Sequence, residues 1–392
     1  MHNPTTTNEF IYTKTHVISV GKKGSSMKFK SERDILVEAL SAASRVVATR
    51  LIGASSGVLL SLSGNQLTVT GTDLDITIRT NVDVIGLEDG AAVVPARLIV
   101  DAVRSLEAGA VTISSGEENV EVSLGRAKFS LRTFSVNDYP NLPPVTGAIT
   151  TMAALDLVQG LSQVVRAAAS DDARPLLTGV LFTNHEGVLR LIATDSYRLA
   201  VRDIPGVAAI AGTTDLLVPA RALQELQRVA SSLPTDAEIG VTVTDAEICF
   251  VVGKSTIASR LIDGNYPSVL QLIPASYPNQ LRIAKDTLLT SLRRAKLLAK
   301  DSTSSVRLTT KDKGLEIRTL SHDTGDIEDN VDADYQGDEL TIAFNPGFLI
   351  EGIEAVLGDE ILLEITDAVR PAMVHGVEDV RFRYLLMPVR VQ

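Results

Sequence analysis

The chain has 392 residues, 45% of them hydrophobic and only 4% aromatic, with no tryptophan and a formal net charge of −11. That length and apolar share allow several aliphatic cores, no apolar run approaches the roughly 18 residues of a membrane span, and the acidic balance argues against a general nucleic-acid binder, which is usually basic. The single cysteine, Cys249, excludes an intrachain disulfide and a multi-cysteine metal site; within the apolar run 248–252 it reads as a core thiol, in keeping with a reducing cytoplasm.

Residues 1–26 are polar and threonine-rich, lack the apolar core of a signal peptide, and read as a disordered extension. Met27-Lys28-Phe29-Lys30 opens the first folded segment. Leu36, Leu40, Ala43 and Val47 then recur at helical spacing, as do Ile99, Ala102, Val103 and Leu106. Between them, residues 66–70 and 77–84 alternate polar and apolar as strands do. Pro95, in Val94-Pro95-Ala96-Arg97, fits the first turn of the second helix, where a missing N–H costs nothing. Tyr139-Pro140-Asn141-Leu142-Pro143-Pro144 is an extended, proline-stiffened connector.

The series then repeats. Leu157, Leu161, Val164 and Val165 mark a third helix, residues 188–192 a strand, and Leu223, Leu226, Val229 and Ala230 a fourth helix behind Val218-Pro219. A second connector begins at Tyr266-Pro267 and runs to Pro274. Leu288, Leu292, Ala295 and Ala299 give a fifth helix, residues 314–318 a strand, and Leu349, Ile353, Val356 and Leu357 a sixth helix. Val-Pro-Ala-Arg, Thr-Asp (Thr72-Asp73 and Thr194-Asp195) and Tyr-Pro each recur about 125 residues apart, with a fainter third copy at Phe344-Asn345-Pro346. The expected fold is therefore α+β: three similar domains, 27–146, 147–276 and 277–392, each with two helices packed on antiparallel sheets.

The six helical windows carry twelve basic and nine acidic residues, so everything outside them is strongly negative. If the helices share one surface, that surface suits phosphates while the remainder repels them. Solvated helix faces rich in Arg and Lys would give the same count.

No catalytic constellation stands out. His2, His16, His185, His322 and His375 form no metal-ligand spacing. Gly253-Lys254-Ser255 ends like a phosphate loop, but Ile248 stands where the first glycine belongs and the segment runs from strand to strand. Asp73 and Asp75 point the same way along a strand and would hold Mg²⁺ in an enzyme acting on DNA or nucleotides. Thr-Asp recurs at 194–195 without the second acid, which favours a turn in which the Asp accepts backbone hydrogen bonds. A peptide-binding scaffold without DNA is a further reading.

Thr70-Gly71-Thr72-Asp73-Leu74, Val94-Pro95-Ala96-Arg97, Ala193-Thr194-Asp195-Ser196-Tyr197-Arg198-Leu199, Val218-Pro219 and the ending Met387-Pro388-Val389-Arg390, in this order, resemble the bacterial DNA polymerase III beta subunit family of sliding clamps, from about Met27 to Val391. The resemblance implies a non-enzymatic processivity factor without a cofactor. It would be a head-to-tail homodimer ring of six domains, with helices lining the hole around duplex DNA. Its partners would be the replicative polymerase alpha subunit, the clamp loader and other proteins bearing a clamp-binding motif, with no membrane. It also implies a partner-peptide pocket of Leu177, Thr194, Ser196, Tyr197, Arg198, Leu199, Pro267, Leu272, Asn345, Phe348, Val369, Met387, Pro388, Val389 and Arg390. DNA contacts carried over are Arg50, Arg97, Arg104, Arg174 and Arg221; the charge pattern alone adds Lys296. Arg50 is followed by a loop without the family's prolines, and Pro175-Leu176 replaces an aromatic pair, so base stacking is not expected there. The ring interface would join Arg126, Lys128, Phe129 and Leu131 of a basic strand to Leu297 and Leu298 and to an acidic loop carrying Asp323, Asp326, Glu328 and Asp329.

Overall fold

The computed structural model describes residues 26–48, 52–171, 173–205, 215–299, 305–312, 314–321 and 325–390. The expected extension, except Ser26, lies outside the described residues, as do Arg50 and Asp323. Six helices are present among the described residues: α1 (Arg33–Val46), α2 (Ala96–Arg104), α3 (Ala154–Val164), α4 (Ala220–Ala230), α5 (Lys285–Lys296) and α6 (Pro346–Ala355). They pack in sequential pairs, α1 with α2, α3 with α4 and α5 with α6. Every helix follows a strand directly, and the apolar spacing read from the sequence is the buried face: Leu36, Leu40, Ile99, Val103, Leu157, Leu161, Leu223, Leu226, Leu288, Leu292, Leu349 and Ile353 are all inaccessible to solvent.

The helical windows of the sequence run past the observed ends. Val47 is already extended after α1, and α3 tightens into a 3₁₀ turn at Val165–Ala167. Pro95 and Pro219 lie one residue earlier than expected. Each ends a strand and caps the helix that follows, with φ near −55° ready for the turn. Only Pro346 occupies the first helical position, behind Asn345, whose side chain accepts from the N–H groups of Gly347 and Phe348.

The chain divides into two compact units. The first comprises residues 1–147 with the short segment 254–258. Its five-stranded sheet runs in the order Ile85–Glu88, Lys28–Glu32, Ala110–Ser115, Asn119–Leu124, Ala127–Arg132, and Gly57–Ser63 lies between Gln66–Thr72 and Gly90–Pro95. Met27 and Phe29 are fully buried in one continuous core with Leu40, Leu60, Ile99 and Val122. The Met27 N–H donates to Ser115 Oγ at 2.7 Å, which fixes the chain entry. Gly71 lies where α1 crosses the sheet, and a Cβ there would fall 2.0 Å from the Ala43 carbonyl oxygen. The second copy of the motif has buried Ala193 at that place.

The second unit holds the other two repeats, residues 148–253 and 259–392. Their strands merge into one nine-stranded sheet, joined where Arg198–Ile204 pairs antiparallel with Phe382–Leu386, from Arg198 opposite Leu386 to Arg202 opposite Phe382. A four-stranded sheet ends on Gly325–Asp332. The connector after Tyr266 is not wholly extended. It contains a 3₁₀ turn, Val269–Leu272, and packs Val269, Tyr266 and Ile273 onto Leu199, Met373 and Leu385 of the large sheet. Cys249 is buried, as the apolar run around it predicts.

Gly71→Ala must push the α1 backbone away from the sheet. It is expected to cost about 1–3 kcal/mol, read as a lower denaturation midpoint at unchanged slope.

Candidate functional site

Two turns of identical construction explain the repeated Thr-Asp. In the first, Asp73 Oδ1 accepts from the N–H groups of Asp75 and Ile76 (3.1 and 2.7 Å), and the Thr72 hydroxyl accepts from the Leu74 N–H. In the second, Asp195 Oδ1 accepts from the N–H groups of Tyr197 and Arg198 (2.9 and 3.0 Å), and the Thr194 hydroxyl accepts from the Ser196 N–H. Leu74 and Ser196 hold the same left-handed conformation, φ +82° and +79°, which non-glycine residues seldom adopt. Asp73 is thus a turn residue, and among the described residues no cluster of three His, Cys, Asp or Glu side chains is placed to hold a metal. Thr366-Asp367 repeats the carboxylate turn at a different hairpin, accepting from Val369 and Arg370; the turn chemistry is therefore not confined to the repeat. Gly253 and Lys254 form a tight strand-to-strand turn, and Lys254 Nζ pairs with Asp83 at 2.6 Å.

The second turn delivers Tyr197 and Arg198 to the junction of the second and third repeats. Arg198 is almost fully buried, and each of its nitrogens has a partner. Nε donates to Asp195 Oδ2, Nη1 to Glu351 Oε2 and the Tyr384 hydroxyl, and Nη2 to the Arg166 carbonyl. Burial disfavours the charge, but Tyr384 and Glu351 outweigh it and hold the guanidinium more firmly protonated than usual. The same group lies 4.4 Å from the centre of the Phe348 ring, and Tyr197 stacks on that ring at 6.3 Å. Tyr384 in turn donates to the Phe348 carbonyl at 2.9 Å.

The C-terminal segment is tied to both sides of this junction. The Met387 N–H donates to the Tyr197 carbonyl (2.9 Å) and the Val389 N–H to the Ala343 carbonyl (2.7 Å). Tyr197, Arg198, Phe348, Met387 and the cap Asn345 are therefore assembled in one place. Tyr197 is 65% exposed and Met387 37% exposed, an unusual outlay of apolar surface beside a buried charge. Leu177, Thr194 and Leu199 are buried beneath, and Leu199 touches the connector that carries exposed Pro267 and Leu272. Val369 stands on the Asp367 turn, largely exposed. Pro388 is half-buried and Arg390 exposed.

Several residues of this junction are absent from the sequence reading. Glu354 accepts from Arg166 (3.2 Å) and Arg293 (2.9 Å), and the Gln163 side chain donates to the Ala355 carbonyl at the end of α6. Hydrogen bonding from Arg293 lowers the Glu354 pKa first; burial opposes, and Arg166 adds to the lowering. Asp379 pairs with buried Arg202. Burial alone would raise its pKa, and hydrogen bonds from Arg202 and Arg381 overcome that. Glu351 and Glu354 lie within the predicted helix, but nothing local announces their partners, which lie 153, 188 and 61 positions away.

The remaining candidate residues fall in two groups. Arg97, Arg104, Arg221 and Lys296 are exposed on helices, with Arg104 donating to Ser41 Oγ at 3.1 Å. Arg174 precedes the 3₁₀ turn Pro175–Thr178 and donates to the Ser196 hydroxyl, which places it against the groove turn. Glu225 is buried against Arg228 on the same helix, and Glu351 and Arg294 are each paired outside the helices, with Arg198 and Asp329, so these pairs leave the helices' charge balance as the count gave it.

Ala127–Arg132 and Gly325–Asp332 are each the terminal strand of their sheet. Phe129 and Leu131 pack partly on the first core, while Arg126 and Lys128 are exposed, with Lys128 reaching Glu121 at 2.6 Å. The acidic side is a strand, not the expected loop. Asp326 is exposed, Glu328 pairs with Arg318 at 2.8 Å, and Asp329 is held well below its usual pKa by the hydrogen bond from Arg294, with Ser291 adding to it. Leu297 is 70% exposed at the end of α5, followed by half-buried Leu298.

A fold of three two-helix repeats with an apolar groove at one repeat junction is that of a DNA clamp subunit. Three family profiles cover the chain: DNA polymerase III beta subunit N-terminal domain at 27–143, central domain at 152–268 and C-terminal domain at 270–390. The beta sliding clamp of Streptomyces coelicolor is 31% identical over 382 residues, covering 93% of this chain and all of the relative. A sliding clamp from Bartonella birtlesii bound to griselimycin matches with TM-score 0.87 at 28% identity, and one from Pseudomonas aeruginosa bound to griselimycin with 0.85 at 27%, each covering 93% of this chain and 100% of the solved one. The chain belongs to the DNA polymerase III beta subunit family.

Glu354 and Asp379 bind protons more weakly folded than unfolded. Their contribution to stability is complete above the ordinary carboxylate range, about pH 4, and is lost as pH falls through the depressed folded values. Thermal unfolding across an acid titration is expected to show that loss, and Arg202→Met, which removes the buried partner that depresses the Asp379 pKa, is expected to lower stability at neutral pH and to shrink the acid-linked loss.

Proposed function

We propose that this chain is a non-catalytic sliding clamp that encircles duplex DNA as a head-to-tail homodimer and tethers the replicative polymerase to it. The observation that carries the reading is the pair of unsatisfied sheet edges of opposite charge, Ala127–Arg132 in the first repeat and Gly325–Asp332 in the third. A free strand edge is a site for adding a strand. Two different edges on one chain make a heterologous contact, which closes without free ends when the rotation allows. Charges on the two strands fix register and discourage wrong pairings, with Asp326 exposed and Leu297 and Leu298 as the apolar part of the contact.

Retention on DNA is topological in this reading, so tight phosphate contact is unnecessary. Arg97, Arg104, Arg221 and Lys296 supply weak, sequence-blind attraction, and the acidic remainder keeps the strand off other surfaces. The domains run 27–146, 147–276 and 277–392. The groove around Tyr197, Phe348 and Met387 takes short extended peptides of the polymerase alpha subunit, the clamp loader and other clamp-binding proteins, with pockets for apolar side chains and backbone anchors along the C-terminal segment. The setting is the cytoplasm. No helix among the described residues is long and apolar enough to cross a membrane.

Loaded onto nicked circular DNA, the protein is expected to dissociate when the circle is linearised; persistence on linear DNA contradicts topological retention. Its mass in solution is expected to be that of a dimer. Removal of residues 387–392 is expected to abolish peptide binding while leaving DNA retention intact, which also separates a clamp from a scaffold that never meets DNA.

A further inference from the structure

Behind its cap Asn345, Phe348, Glu351 and Glu354 follow one another at intervals of three along α6, so that each neighbours the next in a row winding from the groove into the body of the junction. Asn345 caps the helix, Phe348 meets Tyr197 and Arg198, Glu351 takes the Arg198 guanidinium, and Glu354 takes Arg166 and Arg293. Arg198, which the family resemblance assigns to the peptide pocket, has every nitrogen occupied within the chain. What it offers the groove is the position of the Phe348 ring above which it sits.

We infer that Glu351 is a positioning residue for the groove, fixing through Arg198 the ring of Phe348 against Tyr197. The inference rests on the groove being the partner site. Glu351 itself need not touch a ligand. Its carboxylate sets the Nη1 end of a planar group whose other end is set by Asp195, and the plane so defined is the one facing Phe348. Without Glu351 the guanidinium keeps Asp195 and the Arg166 carbonyl, but its Nη1 end is left with only the long 3.5 Å contact to the Tyr384 hydroxyl, so it is less firmly held against the ring and the stack with Tyr197 loses backing.

Glu354, one turn further along the same row, provides the comparison. It also bridges the two repeats through arginines, but it holds them by their side chains, whereas Arg166 meets Arg198 only through its backbone carbonyl. Griselimycin, the molecule bound in the two solved relatives, is the probe, titrated calorimetrically into the full-length protein. Glu351→Ala is expected to bind it about tenfold more weakly, Glu351→Gln, which retains an acceptor oxygen at the same reach, to recover part of the loss, and Glu354→Ala to bind as wild type does. Thermal unfolding of the alanine variants shows whether either has simply failed to fold; alanine is favourable within a helix. Wild-type affinity in Glu351→Ala overturns the inference. So does an equal loss in Glu351→Ala and Glu354→Ala, which reduces Glu351 to a structural tie. Tyr197→Ala, which removes the exposed ring of the groove, is expected to weaken griselimycin binding as well; wild-type affinity in that variant, or no binding by the wild-type protein, overturns the groove assignment itself.

Discussion

One buried guanidinium organises the second unit. Arg198 brings a positive charge to a place where the sheet of one repeat continues into the sheet of the next. Removing a guanidinium from water is costly unless its donors are satisfied. The chain meets that demand with Asp195 from the same turn, Glu351 and Tyr384 from the third repeat and the Arg166 carbonyl from the end of α3. Those partners come from four separate elements, so they can converge only when both repeats are in place. Gly352 is part of the same arrangement: a Cβ there would lie 2.3 Å from the Tyr384 ring, so Tyr384 reaches Arg198 only because α6 has no side chain in its way.

Much of this was legible in the sequence, for local reasons. Helical spacing of Leu, Ile and Val marks a buried stripe wherever a helix lies on a sheet, and all six helices were found by it. Thr-Asp was readable as a turn because the carboxylate bonds the backbone two and three residues on, entirely within the motif. Helix ends were less legible, because Val47 turns extended and Val165 tightens into a 3₁₀ turn where sequence spacing still favours a helix. Long-range partners were not legible at all. Nothing adjacent to Arg198 announces Glu351, 153 positions away, and nothing in the acidic stretch near Asp329 distinguishes a loop from an edge strand with Arg294 already attached to it.

The charge distribution also changes meaning once placed in the fold. As composition, −11 opposes a nucleic-acid role. In the structure, several helix carboxylates are turned inward or committed: Glu225 is buried, and Glu351 and Glu354 are bound to arginines. The helix cations Arg166, Arg228 and Arg293 are bound to two of those carboxylates in turn, and the terminal strand 325–332 concentrates acid on a sheet edge. The net figure averages two surfaces with different tasks.

The pairing of Arg198–Ile204 with Phe382–Leu386 sets an order of events during synthesis. The second repeat emerges from the ribosome well before strand 382–386, which continues its sheet, and before Met387 and Val389, whose hydrogen bonds tie down the segment that follows. Until the third repeat arrives with strand 382–386, strand 198–204 presents an open edge and Arg198 lacks two of its four partners, Glu351 and Tyr384. Contacts so distant in sequence form slowly and leave such edges exposed meanwhile. The nascent second repeat is therefore a natural client for chaperones, and the cluster of Tyr197, Phe348 and Met387 is complete only once all three repeats have been made.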